Sequence, residues 1–380
     1  MSLNWKEFNK RLAANALENG IPISGAFELT SRCNFKCKMC YVACPANDIN
    51  AISMERSADE WIEMGKQARD AGLLYLILTG GEVFIRPDFQ KIYEALCNMG
   101  LNLTIYTNAS LITPEKARWI GSMPPSKLSV TVYGASPETY ERITGSADGF
   151  NRTIQALDNL KAQNINLEIK TTVVEGNYRD YEQIYKIAHT YCDNLGIVNY
   201  ISPRREGCGS DPMGNRLSSI DIVNYERYIT EYGEKMRQKD KNVELKIGQD
   251  EMEQNNLFSD KVNKMLEESA FKCQAGKTGF WITWDGRLLP CGLLNEPVAK
   301  PFEIGFVNAW QQVREGCMRV PKCQECMECD VRSECMVCPG RLMTETGCFT
   351  KPASYLCESA RYRASLKKQR VQAEPVKIAT

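Results

Sequence analysis

The sequence predicts an α/β fold: six β–α units that make most of a parallel barrel, then a small cysteine-rich α+β module built on a β-hairpin. Three observations predict it. From Ala26 onward, short apolar, β-rich runs alternate with amphipathic stretches of helical period, the pattern of a parallel sheet clad in helices. Those runs lie at 26–30, 74–79, 102–107, 128–133, 166–174 and 196–201. Beyond Phe271 the texture changes, and ten of the seventeen cysteines crowd between Cys273 and Cys357.

In chain order, residues 1–22 read as one helix stopped by Gly20-Ile21-Pro22. Helical stretches then separate the strands at Ala58–Ala71, Asp88–Met99, Pro114–Gly121, Gly149–Gln163 and Tyr181–Asn194. Parallel strands joined this way require right-handed crossovers. Six units rather than eight fit a partial (β/α)6 TIM-like barrel, with ligands at the C-terminal ends of the strands. Arg204–Asp211 is rich in turn formers and charge, and reads as a lid over the barrel mouth. Residues 218–270 are mostly polar and helical, a bridge. Phe280–Pro290 reads as strand, Asp285-Gly286 turn, strand: a hairpin. The expected division is therefore an N-terminal helix (1–23), the barrel (24–210), a helical bridge (211–270), the cysteine-rich module (271–360) and a C-terminal helix or tail (361–380).

Composition narrows the function. Lys plus Arg balances Asp plus Glu at 47 each in 380 residues, so nothing calls for nucleic acid or an anionic membrane surface. Lys367-Lys368-Gln369-Arg370 reads as a solvated tail. No apolar run approaches the roughly 20 residues that span a bilayer. The N-terminus carries no signal-peptide core, so a cytoplasmic chain is expected. Reduced cytosolic thiols do not form a disulfide framework, which leaves metal or cluster ligation as the use of so many cysteines. The lone His189 sits in a helical pattern and reads as a helix-face residue. Imidazole-based hydrolysis and histidine-built metal sites are accordingly disfavoured.

Chemistry concentrates at Cys33, Cys37 and Cys40, a C-x3-C-x2-C run directly after the first strand, Ala26–Thr30. Thiolates this close can wrap one corner of a metal centre, and an iron–sulfur cubane takes four ligands where the loop offers three. Structural zinc is the competing reading, but it closes with four Cys or His ligands. The second strand ends Thr79-Gly80-Gly81-Glu82, where glycines permit close backbone approach to a ligand. A turn followed by a helix-capping acid accounts for that tetrad equally well. The third strand ends Tyr106-Thr107-Asn108, and the fourth runs Leu128–Gly134 with Glu141-Arg142 beyond it. Further on, Cys273 and Cys291 bracket the hairpin as C-x12-G-x4-C. Cys326, Cys329, Cys335 and Cys338 follow as C-x2-C-x5-C-x2-C, then Cys357. A zinc ribbon would also use such pairs.

C-x3-C-x2-C after the first strand resembles the signature of the radical S-adenosylmethionine (SAM) enzymes. The resemblance implies that Cys33, Cys37 and Cys40 hold a [4Fe–4S] cluster whose fourth iron is chelated by SAM. One electron then cleaves SAM to methionine and a 5′-deoxyadenosyl radical, which takes a hydrogen atom from the substrate. Carried over by position, Met39 meets adenine and Gly80-Gly81-Glu82 holds the SAM amino group. Thr107 and Asn108 lie where a ribose could sit, and Ser129 or Thr131 meets it from the next strand. Arg142 either pairs with the methionyl carboxylate or forms a helix-surface ion pair.

The later cysteines resemble the SPASM domain, the twin-cluster extension of radical SAM peptide and protein maturases, with two residues rather than three between Cys335 and Cys338. On that pattern Cys326, Cys329, Cys335 and Cys357 complete one auxiliary [4Fe–4S] cluster, and Cys273, Cys291 and Cys338 hold the other. With the SAM-binding cluster that makes three. A fourth ligand for the latter comes from Cys317, Cys323 or Cys208, or one iron stays open and could take a substrate thiolate. Cys348 competes with Cys357. Cys44, Cys97 and Cys192 read as ordinary thiols.

The resemblance implies a radical SAM oxidoreductase that modifies or cross-links a side chain of a ribosomally made peptide, through a thioether or carbon–carbon bond. An open auxiliary iron would favour the thioether. The alternative is formylglycine formation of the anaerobic sulfatase-maturing kind. A non-catalytic electron carrier or zinc scaffold is the reading from a different class. Implied partners are a peptide or protein substrate and an electron donor such as a flavodoxin or ferredoxin. A separate leader-recognition protein, or a short or leaderless substrate, is also implied, because the barrel starts near residue 24. No catalytic base is singled out. Tyr106, Glu168, Lys170 and Tyr200 lie near strand ends, where core packing explains them as well as acid–base work does, and Asp285 reads as a turn residue.

Overall fold

A computed structural model describes residues 5–202, 213–239 and 266–373. The helix Trp5–Asn19 leads through Gly20, in the left-handed region at φ 66°, into β1 (Ser24–Glu28). Two short strands, β2 (Arg32–Cys33) and β3 (Cys44–Pro45), pair with each other and pinch the cysteine loop at its base. Then come β4 (Tyr75–Thr79), β5 (Asn102–Thr107), β6 (Lys127–Thr131), β7 (Leu167–Thr172) and β8 (Leu195–Val198). All six anticipated strands are present, their ends shifted by a few residues.

The sheet has eight strands rather than six. The hairpin β9 (Gly279–Ile282) and β10 (Leu288–Leu289) does not form a sheet of its own but joins the barrel, in the order β10-β9-β1-β4-β5-β6-β7-β8. Every neighbouring pair is parallel except β10–β9, and Gly25 stands opposite Phe280. Glycine is required there by packing: a Cβ on Gly25 would lie 2.3 Å from the Phe280 ring.

Local signals explain the helices. Ser57 and Glu60 make a reciprocal capping box for Ala58–Asp70, which satisfies backbone N–H groups that the first turn leaves unpaired. Ser136 caps Pro137–Thr144 with proline in the first turn, and Gly145 ends it in the left-handed conformation. Side chains alternate along the strands with period two. Leu76, Leu78, Leu103, Ile105, Leu128, Val130 and Ile169 are buried toward the helices, packing with Phe27, Trp61 and Tyr93. Each large apolar side chain buried this way contributes about 1.5–3 kcal/mol. The alternate positions, Tyr106, Ser129, Thr131, Glu168 and Lys170, therefore face the barrel lumen.

A second core joins the helices Tyr181–Tyr191, Ser219–Lys239 and Ser354–Ala373 around Tyr181, Tyr185, Val223 and Tyr225. The C-terminal helix starts at Ser354, ahead of the expected 361, so Cys357 sits in its first turn. The expected lid Arg204–Asp211, Cys208 and residues 240–265 of the bridge lie outside the described residues. Among the described residues no helix is long and apolar enough to cross a membrane.

Candidate metal centre

The base of the cysteine loop is fixed by buried charge. Arg32 forks onto the Glu55 carboxylate at 2.8 and 3.0 Å, and Thr30 Oγ1 donates to the same group. Beneath them Arg86, its side chain 3% exposed, donates to the carbonyls of Leu29 at 2.8 Å and Arg56 at 3.0 Å and pairs with Asp88 at 2.7 Å. Such forked, charge-assisted contacts are directional as well as strong. The middle of the loop is tied to the helix Pro137–Thr144, with Lys36 N–H donating to Thr144 O at 2.7 Å and Lys38 N–H to Ile143 O at 3.0 Å. Sequence reading missed Arg32, Glu55 and Arg86. The one available signal was an arginine four residues after Glu82.

Cys33 and Cys37 are buried and Cys40 is half-buried. Burial pushes the Cys33 thiol up to about 12, with the charge of Glu82 and the neighbouring Cys40 adding to it. Burial also raises Cys37, as do Cys40 and Cys33. Tyr133, which sequence reading passed over, stands by all three sulfurs: burial and then Cys37, Cys33 and Cys40 each oppose its ionisation. Backbone N–H groups already point at two of the sulfurs, Phe35 to Cys33 Sγ at 3.3 Å and Ala43 to Cys40 Sγ at 3.2 Å. Among the described residues, no three donors stand close enough to grip a metal ion as they are. The chemistry of the donor set still fits an iron–sulfur centre: three gathered thiols, mutually repulsive as thiolates, need the positive charge that iron brings.

Gly80, Gly81 and Glu82 lie directly against the loop. Gly81 N–H donates to Thr30 O at 2.7 Å and Glu82 N–H to Arg32 O at 2.9 Å. A Cβ on Gly81 would stand 2.3 Å from Arg32 O, and one on Gly80, at φ 151°, 2.3 Å from Thr30 O. The glycines thus let two backbone segments touch. Glu82 is fully buried and accepts from Phe84 N–H at 3.1 Å, Thr107 Oγ1 at 2.7 Å and Asn108 N–H at 2.7 Å. Burial raises its pKa and those donors pull it back. A carboxylate has about four acceptor positions, so one remains for an ammonium. Asn108 extends the net to Asn34 at 3.1 Å and toward Cys33 Sγ at 3.7 Å.

In the lumen, Lys170 Nζ donates to Tyr106 Oη at 2.8 Å and pairs with Glu168 at 2.9 Å, while Lys127 reaches Glu168 at 3.2 Å. Burial works against the Glu168 carboxylate, but Lys170, Ser129 and Lys127 outweigh it and hold the group below the usual carboxylate range. Ser129 is therefore already engaged, whereas Thr131 lies half-buried farther along the same strand face. Met39 is buried in the main core. Arg142 is exposed and donates to Gly176 O at 2.8 Å, tying down the loop after β7. Tyr200 donates to Glu345 at 2.9 Å, away from the lysine cluster. Asp285 pairs with Arg287 at 2.8 Å and accepts from Thr283, a turn residue.

The later cysteines fall into two sets. Cys291 feels Cys273 and Cys338, and Cys338 feels Cys273. Cys326 feels Cys323, Cys357 and Cys335, while Cys357 feels Cys335, Cys329 and Cys323. Cys348 stands apart from both, held by Thr350 at 3.2 Å. Cys192 Sγ bonds to Asn194 O at 3.0 Å and Cys44 Sγ to Val42 O at 3.9 Å, while Cys97 contacts Tyr93.

Comparisons with known proteins meet this geometry. Residues 27–189 match the model of the Radical SAM superfamily. The chain is 27% identical over 353 residues to the AdoMet-dependent heme synthase of Methanosarcina barkeri, covering 87% of this chain and 95% of that protein. It is 22% identical over 307 residues to the sporulation killing factor maturation protein SkfB of Bacillus subtilis, covering 79% of this chain and 68% of that one. Among solved structures, Streptococcus suis SuiB bound to S-adenosylmethionine superposes with a TM-score of 0.67 at 19% identity, covering 92% of this chain and 81% of SuiB. The same protein has also been solved bound to the precursor peptide SuiA.

Proposed function

The chain belongs to the radical SAM superfamily, whose members bind SAM and a [4Fe–4S] cluster, and on that premise we propose that it matures a ribosomally made peptide by oxidative modification or cross-linking. The observation that carries the reading is a three-thiol loop held against Gly81 and Glu82, followed in the same chain by two further thiol sets. Cys33, Cys37 and Cys40 would hold the SAM-binding cluster, which with SAM supplies an abstractor of hydrogen atoms. Glu82 has one acceptor position left for the SAM ammonium, and Asn108 orients Asn34 and Cys33 beside it. The lumen pair Lys170–Tyr106 is a hydrogen-bonding set able to orient a substrate carboxylate or carbonyl. The two C-terminal sets would hold auxiliary clusters that take up the electron which net oxidation of a substrate radical releases. SkfB, a maturation protein, and SuiB, solved with a precursor peptide, support a peptide substrate.

A second reading is favoured by a specific observation. The heme synthase relative covers almost all of both chains, and a tetrapyrrole carrying carboxylate side chains would suit a lumen with Lys127 and Lys170. Formylglycine formation is the remaining alternative. One experiment separates the cross-linking and tetrapyrrole readings. The protein is reconstituted anaerobically with iron and sulfide, given SAM and reductant, and assayed for 5′-deoxyadenosine with a cysteine-bearing peptide from a neighbouring reading frame or with a haem precursor. Peptide product lighter by two hydrogen atoms supports cross-linking. Consumption of the tetrapyrrole alone supports the second reading, and zinc with no SAM cleavage defeats both.

A further inference from the structure

We infer that Cys317 closes the first auxiliary set, so that Cys273, Cys291, Cys338 and Cys317 together ligate one [4Fe–4S] cluster with no iron left open. The inference rests on the reading above that the module holds clusters, and it decides between ligand sets that spacing leaves open. Cys317 comes from the last turn of the helix Phe306–Met318 and is 3% exposed. Its sulfur hangs over the turn that Cys273 begins: a Cβ on Gly276 would stand 2.2 Å from Cys317 Sγ. Gly276 also lies in the left-handed region at φ 65°, so this turn carries glycine where it passes under the sulfur. Cys317 in turn feels Cys291 and Cys273. The rival Cys323 belongs to the other set, its Sγ 2.7 Å from that of Cys326.

A buried lysine points the same way. Lys277 is 7% exposed and donates to Phe271 O at 2.5 Å. Burial pushes its ammonium below the usual lysine range, Cys273 and Cys317 act against that, and Lys272 adds to it. An ammonium taken out of water is costly unless an opposite charge meets it. A cubane bound by four thiolates is an anion, and net charge beside such a cluster tunes its potential. Lys277 would stand at the edge of that anion.

The consequence is chemical. A fully ligated cluster accepts one electron from a substrate radical and passes it to an external one-electron carrier, but offers no site for a substrate thiolate. Thioether formation by coordination at this cluster is thereby excluded, whereas outer-sphere oxidation is retained.

The test uses the full chain with Cys33→Ala, Cys37→Ala and Cys40→Ala, which isolates the auxiliary clusters. After anaerobic reconstitution this background is expected to hold about eight iron ions. Adding Cys317→Ala should change the EPR spectrum of the reduced protein and release about one iron on mild oxidation, leaving a [3Fe–4S] signal, while Cys97→Ala changes neither. Cys317→Ser, which keeps an oxygen ligand, should retain the iron at a shifted reduction potential and serves if the alanine variant does not fold. Lys277→Gln should lower that potential. Iron content, spectrum and potential unchanged in both Cys317 variants overturn the assignment alone. Zinc in place of iron in the background overturns the cluster reading and the assignment with it.

Discussion

Replacing Gly81 with alanine tests whether close backbone contact positions the thiols. The added Cβ would lie 2.3 Å from Arg32 O and 2.6 Å from Ser31 O, both rigid main-chain atoms one or two residues before Cys33. Ordinary contact requires the two segments to part by about 1 Å. Overpacking of this kind costs about 1–3 kcal/mol. The separation also strains the bonds from Gly81 N–H to Thr30 O and from Glu82 N–H to Arg32 O, each worth about 1 kcal/mol net. Gly81→Ala should therefore lose about 2–4 kcal/mol by urea denaturation. A 1 Å displacement of reacting groups lowers rates by about 10²-fold, which 5′-deoxyadenosine release will read. A variant of wild-type stability that cleaves SAM at the wild-type rate would refute the reasoning.

Arg86→Ala leaves the buried carbonyl of Leu29 and the part-buried one of Arg56 without their donor and Asp88 without its partner, and should cost about 3–5 kcal/mol. Arg86→Lys should recover only part of that in thermal melts, since an ammonium cannot reproduce the fork; full recovery contradicts the geometry. The Glu168 carboxyl is held below its ordinary range, so its contribution is present above the unfolded value of about 4.3 and is lost as pH falls through the folded value. Glu168→Gln should accordingly flatten the acid limb of the stability curve by about 1–2 kcal/mol, and identical urea midpoints for both proteins from pH 3 to 7 would remove the Lys170–Glu168 pair from the account. Loading iron and sulfide should slow amide exchange across 323–338, because ligand binding to the folded form stabilises the segment that binds. Equal exchange with and without iron speaks against a cluster there.

What the chain discloses locally and what it withholds divide along sequence separation. The strands from 74 to 201 carry their own apolar runs, and the helices between them their own caps, so local patterning predicted both. The Cys33–Cys40 spacing is equally local. Tyr133 beside the three sulfurs, Arg86 under Leu29 and Cys317 over Gly276 are contacts between segments with no shared period, and packing alone brings them together. Phe280-Trp281-Ile282 reads as half of a hairpin because its turn is adjacent. Its second neighbour is β1, some 250 residues earlier in the register Ser24 to Gly279, and nothing in either segment names the other. The partner of Ser129 is hidden for a related reason: its hydroxyl bonds to Glu168 on the adjacent strand, visible only once the strands are in register.

Trp284, at the hairpin tip, packs on Val42 and Cys44 at the far end of the first cysteine loop, and β9 lies beside the strand that feeds that loop. During synthesis β1 has a single flank, β4, until residues 279–282 have left the ribosome. β1 gains its second neighbour only when the last quarter of the polypeptide arrives, and the brace on the far side of the loop arrives with it. Truncation before the hairpin would make β1 an edge strand and take Trp284 away from the loop.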